Sequence, residues 1–463
     1  MHCDRRRFLK SSIKAALGGA SAFGAFGNLA LIESALAATP STFTDYKALV
    51  CVFLNGGNDS FNTVVPTAAS ANRAAYAAQR GALAINSAAL LPLMPRAGGG
   101  PSDGGVYGLH PVMPEMQALF NAGNAAIVAN VGTLLRPTDQ FAYNNRIDLP
   151  PQLFSHADQT RYWQTSRPDD NSANGWGGRI ADLLYTNNPT ALPTAFSIGE
   201  EAIFQRAASV DQYVTDVAGV SAIDSSVWQD GAKGVFDSLR QTGMQTNMLQ
   251  RAYTASLGHT VDTYNALASA LAVNTQPFPN FPNTTNGRKM QNVAQLIRAS
   301  QTTMKRQVFY VGFPGYDTHD NQLAQQGGGT NVPVGLLQDM SQSINALYGA
   351  LVSMGLGNNV TIFTTSDFGR TLSINGDGTD HGWGGHHFVV GGAVLGGRFY
   401  GRMPSLAVSN NPDDAGWGQI IPTTSVDQYA ATLAAWFGVD ASGIDTVFPN
   451  LKNFPTASLG FMA

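Results

Sequence analysis

The chain has 463 residues, of which 44% are apolar, and a formal charge of −4. That is ample for a substantial core, and the slightly acidic balance excludes nucleic acid as an electrostatic partner. Charged residues are only 13% of the chain, about half the usual share, so the surface should be rich in Asn, Gln, Ser and Thr.

The first element is a targeting segment. Asp4-Arg5-Arg6-Arg7-Phe8-Leu9-Lys10 precedes a Gly/Ala-rich apolar stretch, Ile13 to Ala37, that closes on Ala35-Leu36-Ala37. A basic head, an apolar middle and a small-residue end make a cleavable signal, here over residues 1–38. Its arginine pair points to the twin-arginine export route, and so to a periplasmic or extracellular protein with no stable membrane span after cleavage. Five basic and two acidic residues lie in that segment, which leaves 22 against 29, or −7, in the mature chain. Cys3 leaves with it, so Cys51, inside LVCVFL, is expected to be a lone buried thiol.

Residues 39–463 read as a single domain. Ala48–Leu54 is a continuous apolar run bounded by Asn-Gly-Gly-Asn, a buried strand. A helical pattern in HPVMPEMQALFNAG leads into a second strand, Ala125–Val131. Gln307–Phe313 and Val360–Thr365 are the third and fourth. Between them Leu337, Met340, Ile344, Leu347, Leu351 and Met354 recur at helical spacing. Strand, helix and strand make a parallel crossover unit, and Phe388–Val394 reads as a fifth strand. The fold class is therefore α/β with a mostly parallel sheet. Residues from about 200 to 300 read as a helical insertion, and Pro92–Gly108 as a mobile surface loop.

Open parallel sheets place ligands outside the carboxyl ends of their strands. Asn55, Asn58 and Asp59 follow the first strand, Asp317 and His319 the third, and Asp367 the fourth. In an extended segment Asp317 and His319 point the same way, as two ligands of one ion would. Asp380, His381, His386 and His387 follow in a stretch with five glycines. Carboxylate with imidazole suits Zn, Mn or Fe; carboxylate with carbonyl suits Ca or Mg. Each residue also has a structural reading, with Asp380 and His381 shaping a glycine turn and Asp317 capping a helix. For a nucleophile, G-x-S-x-G occurs only as GPSDG in the Gly/Pro-rich loop, without a strand before it. The remaining candidate is Ser155 with His156, in LFSHADQTRYWQTS, at what reads as a helix start; an ordinary N-cap serine is the alternative. Arg370 could clamp phosphate or sulfate oxygens, or pair with Asp367.

LNGGNDSFNTVVP, LHPVMPEMQALF, SHADQTRYWQTS, GYDTHDNQ, TTSDFGRT, TDHG and PTTSVDQYAATLAAWFG, in that order, resemble a secreted bacterial family, domain of unknown function 1501. That family looks like a member of the alkaline phosphatase and sulfatase superfamily. The resemblance implies a three-layer αβα sandwich with a metal-assisted nucleophile at the strand ends. It matches Ser155 to the nucleophile and Asp317, His319, Asp367 and His381 to metal ligands, with Asp59 a little past the first ligand slot; His156 and Arg370 join the expected catalytic set, and Asp59 the expected metal set, from their own chemistry. Asn55 stands where the superfamily has its first aspartate, and Phe368 where it has a paired histidine, so one divalent ion (Zn, Ca, Mg or Mn), or none, is expected rather than two. The function expected is hydrolysis of a phosphate or sulfate ester, on a small molecule or a glycan. The alternative is a non-catalytic binding or surface-assembly protein on the same scaffold.

Overall fold

The computed structural model describes residues 43–463 apart from 171–172, 189–191, 218, 221–237, 239–246 and 330–331. The expected signal segment lies outside the described residues, as does the first part of the helical stretch expected from Phe236.

In chain order the strands are β1 (Lys47–Leu54), β2 (Val64–Pro66), β3 (Leu91–Pro92), β4 (Tyr107–Leu109), β5 (Ala125–Gly132), β6 (Ala195–Ile198), β7 (Gln212–Thr215), β8 (Arg306–Phe313), β9 (Val360–Ser366), β10 (Gly385–Val390), β11 (Arg398–Tyr400) and β12 (Thr424–Ser425). The main sheet has the order β11-β5-β10-β9-β1-β8-β6-β7, with β12 also pairing β5. All of its pairings are parallel except the two made by β10, which runs against both β5 and β9. A mostly parallel sheet is thus what the apolar runs produce.

The central strands are buried on both faces, as crossover connections require. Alternate side chains divide between two cores. Val50, Val52, Phe309, Val311 and Ile362 join one cluster with Met290, Ile297, Ile344 and Leu347 from the helices Thr285–Ser300 and Leu336–Ser353. Leu49, Cys51, Phe53, Tyr310 and Phe363 join the other with Trp176, Ile180, Tyr429 and Leu433 from the helices Trp176–Leu184 and Val426–Phe437. Helix, sheet and helix form three layers. Thr285–Ser300, read as part of an insertion, lies in the layer that covers the sheet. Cys51 is buried as expected, and burial pushes its thiol up to about 12. Among the described residues no helix is long and apolar enough to cross a membrane.

Two local expectations need correcting. Pro92–Gly108 is tied down rather than loose. Its flanks pair β3 with β4, Phe399 N donates to Gly99 O at 2.8 Å, and Met403 N donates to Ser102 Oγ at 2.8 Å. The fifth strand begins at Gly385 and ends at Val390, because the two histidines taken for loop residues pack inside it.

Register levels the functional edge. Leu54 pairs with both Phe313 and Ser366, so β1, β8 and β9 end side by side. Since β10 is antiparallel, its leading end reaches that same edge. The glycine stretch that enters β10 therefore meets the segments that leave β1, β8 and β9.

Candidate metal centre

Four segments meet at this edge. After β1 the chain turns through Gly56, at φ 118°, where a Cβ would lie 2.3 Å from the backbone nitrogen of Asp317; only glycine allows that approach. After β8 come Asp317 and His319, and after β9 come Asp367 and Arg370. The glycine stretch doubles back on 369–371: Gly382 N donates to Gly369 O at 2.7 Å, Thr371 N to Asp380 O at 3.0 Å, and Arg370 bridges His381. This pairing fixes His381 in place.

His156 comes from elsewhere. It is the first residue of the helix His156–Thr165, capped by Ser155. The approach to this helix is strained, with Gln152 at φ 52° and Phe154 at φ 69°. Such backbone persists where surrounding structure holds it, and here the Phe154 carbonyl accepts from His381 Nδ1 at 2.8 Å.

The imidazoles converge on one carboxylate oxygen. From Asp317 Oδ1, His319 Nε2 lies at 3.0 Å, His381 Nε2 at 3.4 Å and His156 Nε2 at 3.5 Å. His319 Nε2 and His381 Nε2 are 2.9 Å apart. His156, Asp317 and His381 each offer a ligand atom within 4.8 Å of the others. The outer ring nitrogens are all engaged: His156 Nδ1 with Asp367 Oδ2 at 2.7 Å, His381 Nδ1 with the Phe154 carbonyl, and His319 Nδ1 with Asp380 Oδ1 at 3.2 Å. Each outer partner is an acceptor, which places a ring hydrogen on Nδ1, so that in the neutral rings the Nε2 lone pair faces inward. His156 Nε2 is buried and has no hydrogen-bond partner.

The surroundings set the charge. Burial works to raise the Asp317 carboxyl, but the hydrogen bond and charge of Arg370, with His156 and His319, hold it below the usual carboxylate range. The Asp367 hydrogen bond raises His156 against the opposing pull of burial. Burial, partly offset by the Phe154 carbonyl, pushes His381 down. Below the pair lies Phe368, its ring centroid 4.7 Å from those of both His156 and His381. It forms an apolar floor where a further ligand would have to stand.

Of the residues expected in a site, Asp317, His319, His381 and His156 come together as inward-facing donors. The others take different places. Asp367 stands behind His156, its second oxygen accepting from Gly56 N at 2.9 Å. Asp59 is not at the centre: it is buried against Arg80 at 2.5 and 3.0 Å and accepts from Gln322 Nε2 at 2.6 Å. Ser155 Oγ accepts from Asp158 N at 3.5 Å, as a capping serine does, and donates to Asp158 Oδ2 at 2.7 Å. Arg370 is fully buried, and its partner is Asp317, at 2.6 Å, rather than Asp367; it also donates to Gly56 O and to Thr379, so it faces the carboxylate instead of an open anion site. His386 and His387 are core residues, the first accepting from Asn130 N at 3.0 Å and the second packed edge-on to Trp163. Gln322 and Arg80 were not singled out in the sequence; Gln322 closes the motif GYDTHDNQ, and no motif contains Arg80.

No curated protein sequence matches the chain. Among solved structures it is similar to the C-terminal periplasmic domain of EcEptC from Escherichia coli in complex with Zn, at 11% identity, 89% coverage of each chain and a TM-score of 0.35. It is similar also to the lipoteichoic acid synthase LtaP from Listeria monocytogenes, at 8% identity, 91% and 81% coverage and a TM-score of 0.32. A protein in the alkaline phosphatase superfamily from Vibrio parahaemolyticus gives 11% identity, 92% and 78% coverage and a TM-score of 0.33. Residues 46–426, most of the length, match the family described as "Protein of unknown function (DUF1501)", and the chain belongs to that family.

Proposed function

We propose that this protein is an exported, metal-dependent hydrolase of phosphate or sulfate esters. Its single divalent ion would be held by His156, Asp317 and His381, with His319 as a fourth donor. One observation carries the metal reading: three ring nitrogens and a carboxylate oxygen face one another while the outer ring hydrogens are already bonded. Such a set of acceptors requires a proton or a cation between them. Four of the spacings, at 2.9–3.5 Å, are near the about 3.3 Å that separates donors on a tetrahedral ion with bonds of about 2.0–2.1 Å, and the ligand atoms of His156, Asp317 and His381 all lie within 4.8 Å of one another. An ion bound there would supply Lewis-acid polarisation of an ester oxygen and acidify attacking water.

The chain's own residues would do the rest. Asp367 fixes the His156 tautomer, and the Phe154 carbonyl fixes that of His381. Arg370 orients Asp317 and tempers its charge. The His319 and Asp317 side chains are 41% and 47% exposed, which leaves an open side for an ester to approach. The engagement of Ser155 with Asp158 favours water over a serine as nucleophile. The ester class itself rests on the resemblance of the motifs to phosphatases and sulfatases. That same engagement supports a second reading, a protein that binds glycan or helps assemble a surface structure without turnover.

The test is metal analysis of the purified full chain, alongside hydrolysis of aryl phosphates and aryl sulfates. About one equivalent of metal and turnover that vanishes in His381→Ala support the hydrolase. Metal without turnover of any ester favours the binding protein, and absence of metal removes both the ion and the hydrolase. Export is tested by replacing Arg5 and Arg6 together with Lys, which should hold the protein in the cytoplasm; normal secretion would rule out the twin-arginine route.

A further inference from the structure

A continuous buried chain of hydrogen bonds leads from Asp59 to the candidate centre. Arg80 bonds Asp59 through both terminal nitrogens. Gln322 Nε2 donates to Asp59 Oδ2 at 2.6 Å, and its Oε1 accepts from Thr379 Oγ1 at 2.6 Å and from Thr318 Oγ1 at 3.1 Å. Thr379 Oγ1 accepts from Arg370 Nε at 3.1 Å, and Arg370 NH1 donates to Asp317 Oδ1 at 2.6 Å. Arg80, Gln322, Thr379 and Arg370 are 0% exposed, and Asp59 is 1% exposed.

Only one hydrogen assignment satisfies this path. A carboxylate only accepts and a guanidinium only donates. Arg370 Nε–H must therefore donate to the Thr379 hydroxyl, whose single hydrogen must go to Gln322 Oε1, so the Gln322 amide must aim its NH2 at Asp59. Every orientation follows from the two charged ends. Glu at 322 would set two carboxylates against each other, and an apolar residue would leave Asp59 and Thr379 each short of a partner.

We propose that Gln322 is a positioning residue: through Thr379 it fixes the plane of Arg370, and thereby aims Asp317 Oδ1 at the three imidazoles. Asp59, with Arg80 neutralising it, is the anchor of this path. The proposal rests on the metal reading only for its effect on affinity. Its effect on Arg370 holds in the metal-free protein.

The experiment uses the full chain with Gln322→Met, and with Thr379→Val as a milder cut in the same path should the first not fold. Gln326→Met is the control: Gln326 lies one turn further on the same helix, is also buried, and touches Asp59 only at 3.4 Å without leading to Arg370. Zinc affinity is read by competition with a chromogenic chelator, and the Arg370 Nε–H signal by nitrogen-edited NMR without metal. Gln322→Met and Thr379→Val should weaken zinc binding by about 10–100-fold, the range for lost outer partners of metal ligands. Both should also shift the Arg370 signal and speed its exchange, while Gln326→Met leaves affinity and signal as in wild type. Wild-type affinity and an unmoved Arg370 signal in the two path variants would overturn the proposal, as would equal changes in Gln326→Met. A wild type that binds no zinc would remove the metal reading alone, and the Arg370 signal would still decide the path.

Discussion

His156 Nδ1 and Asp367 Oδ2 stand 2.7 Å apart, joining the first residue of a helix to the residue that follows a parallel strand 211 positions later. Asp367 is 3% exposed, and its other oxygen holds Gly56 N. The pair fixes which nitrogen of His156 carries the hydrogen, and so which one is offered inward. Replacing Asp367 by Asn removes the charge that makes the ring a better donor to a cation, and leaves one acceptor oxygen where Gly56 N and His156 Nδ1 need two. Asp367→Asn should weaken zinc binding by about 10–100-fold, the usual cost of an altered outer partner, while circular dichroism stays that of the wild type. Unchanged affinity by chelator competition would mean that His156 does not bind the ion.

An ion at the centre would tie the glycine stretch to the end of β8 and to the start of the helix His156–Thr165. Its binding free energy would add to folding. Chelator should therefore lower the melting temperature of the wild type, and His381→Ala should abolish that sensitivity. The floor made by Phe368 limits the site to one ion, so metal analysis should return about one equivalent per chain. Two equivalents would require donors outside this set.

The buried pair of Asp59 and Arg80 offers a separate test. Both side chains are 0% exposed, and their closest atoms are 2.5 Å apart. Removing one partner of such a pair leaves an uncompensated buried charge, at a cost of about 3–5 kcal/mol. Arg80→Met should accordingly lower stability by about that much in urea unfolding. The double variant Arg80→Met with Asp59→Leu should recover part of the loss. If Arg80→Met alone is as stable as wild type, the pair contributes nothing to folding.

Much of this architecture can be read from the chain. Strands β1, β5, β8 and β9 begin and end within about a residue of the apolar runs that announce them, because a strand buried on both faces needs an unbroken run. The convergence of Asp317, His319 and His381 follows from strand ends sharing an edge. Partner choice was not legible. Arg370 pairs with Asp317, 53 positions away, rather than with Asp367, three away, and Gln322 meets Asp59 across 263 positions. Local spacing carries no information about such contacts. The histidines of β10 misled for a related reason. Among glycines they read as loop residues, yet Gly385 opens a strand and the imidazoles of His386 and His387 fill the core.

Those core histidines, with Asp427, make a prediction about pH. Burial lowers His110 and His386 to about 4 and His387 to about 3. Their unfolded value is about 6.5, so between that and about 4 the unfolded chain binds more protons, and stability falls as pH falls. Asp427 has the opposite sign. Burial raises it to about 7, against Ser166 and Arg179 that pull it down. Here the folded chain binds the extra proton, so its contribution falls as pH rises from about 4 to about 7 and is constant above. Replacing Asp427 by Asn removes that slope without touching the histidines. The difference in melting temperature, Asp427→Asn minus wild type, should therefore grow from pH 5 to pH 7 and level off by pH 8. His387→Gln should flatten the acid limb below pH 6 and leave the interval from 7 to 8 as it is. Metal-free protein is the right sample, since protons competing with a bound ion would otherwise add their own dependence. Parallel melting curves for Asp427→Asn and wild type across pH 5–8 would show that Asp427 keeps an ordinary carboxyl, with the positive charge of Arg179 offsetting its burial.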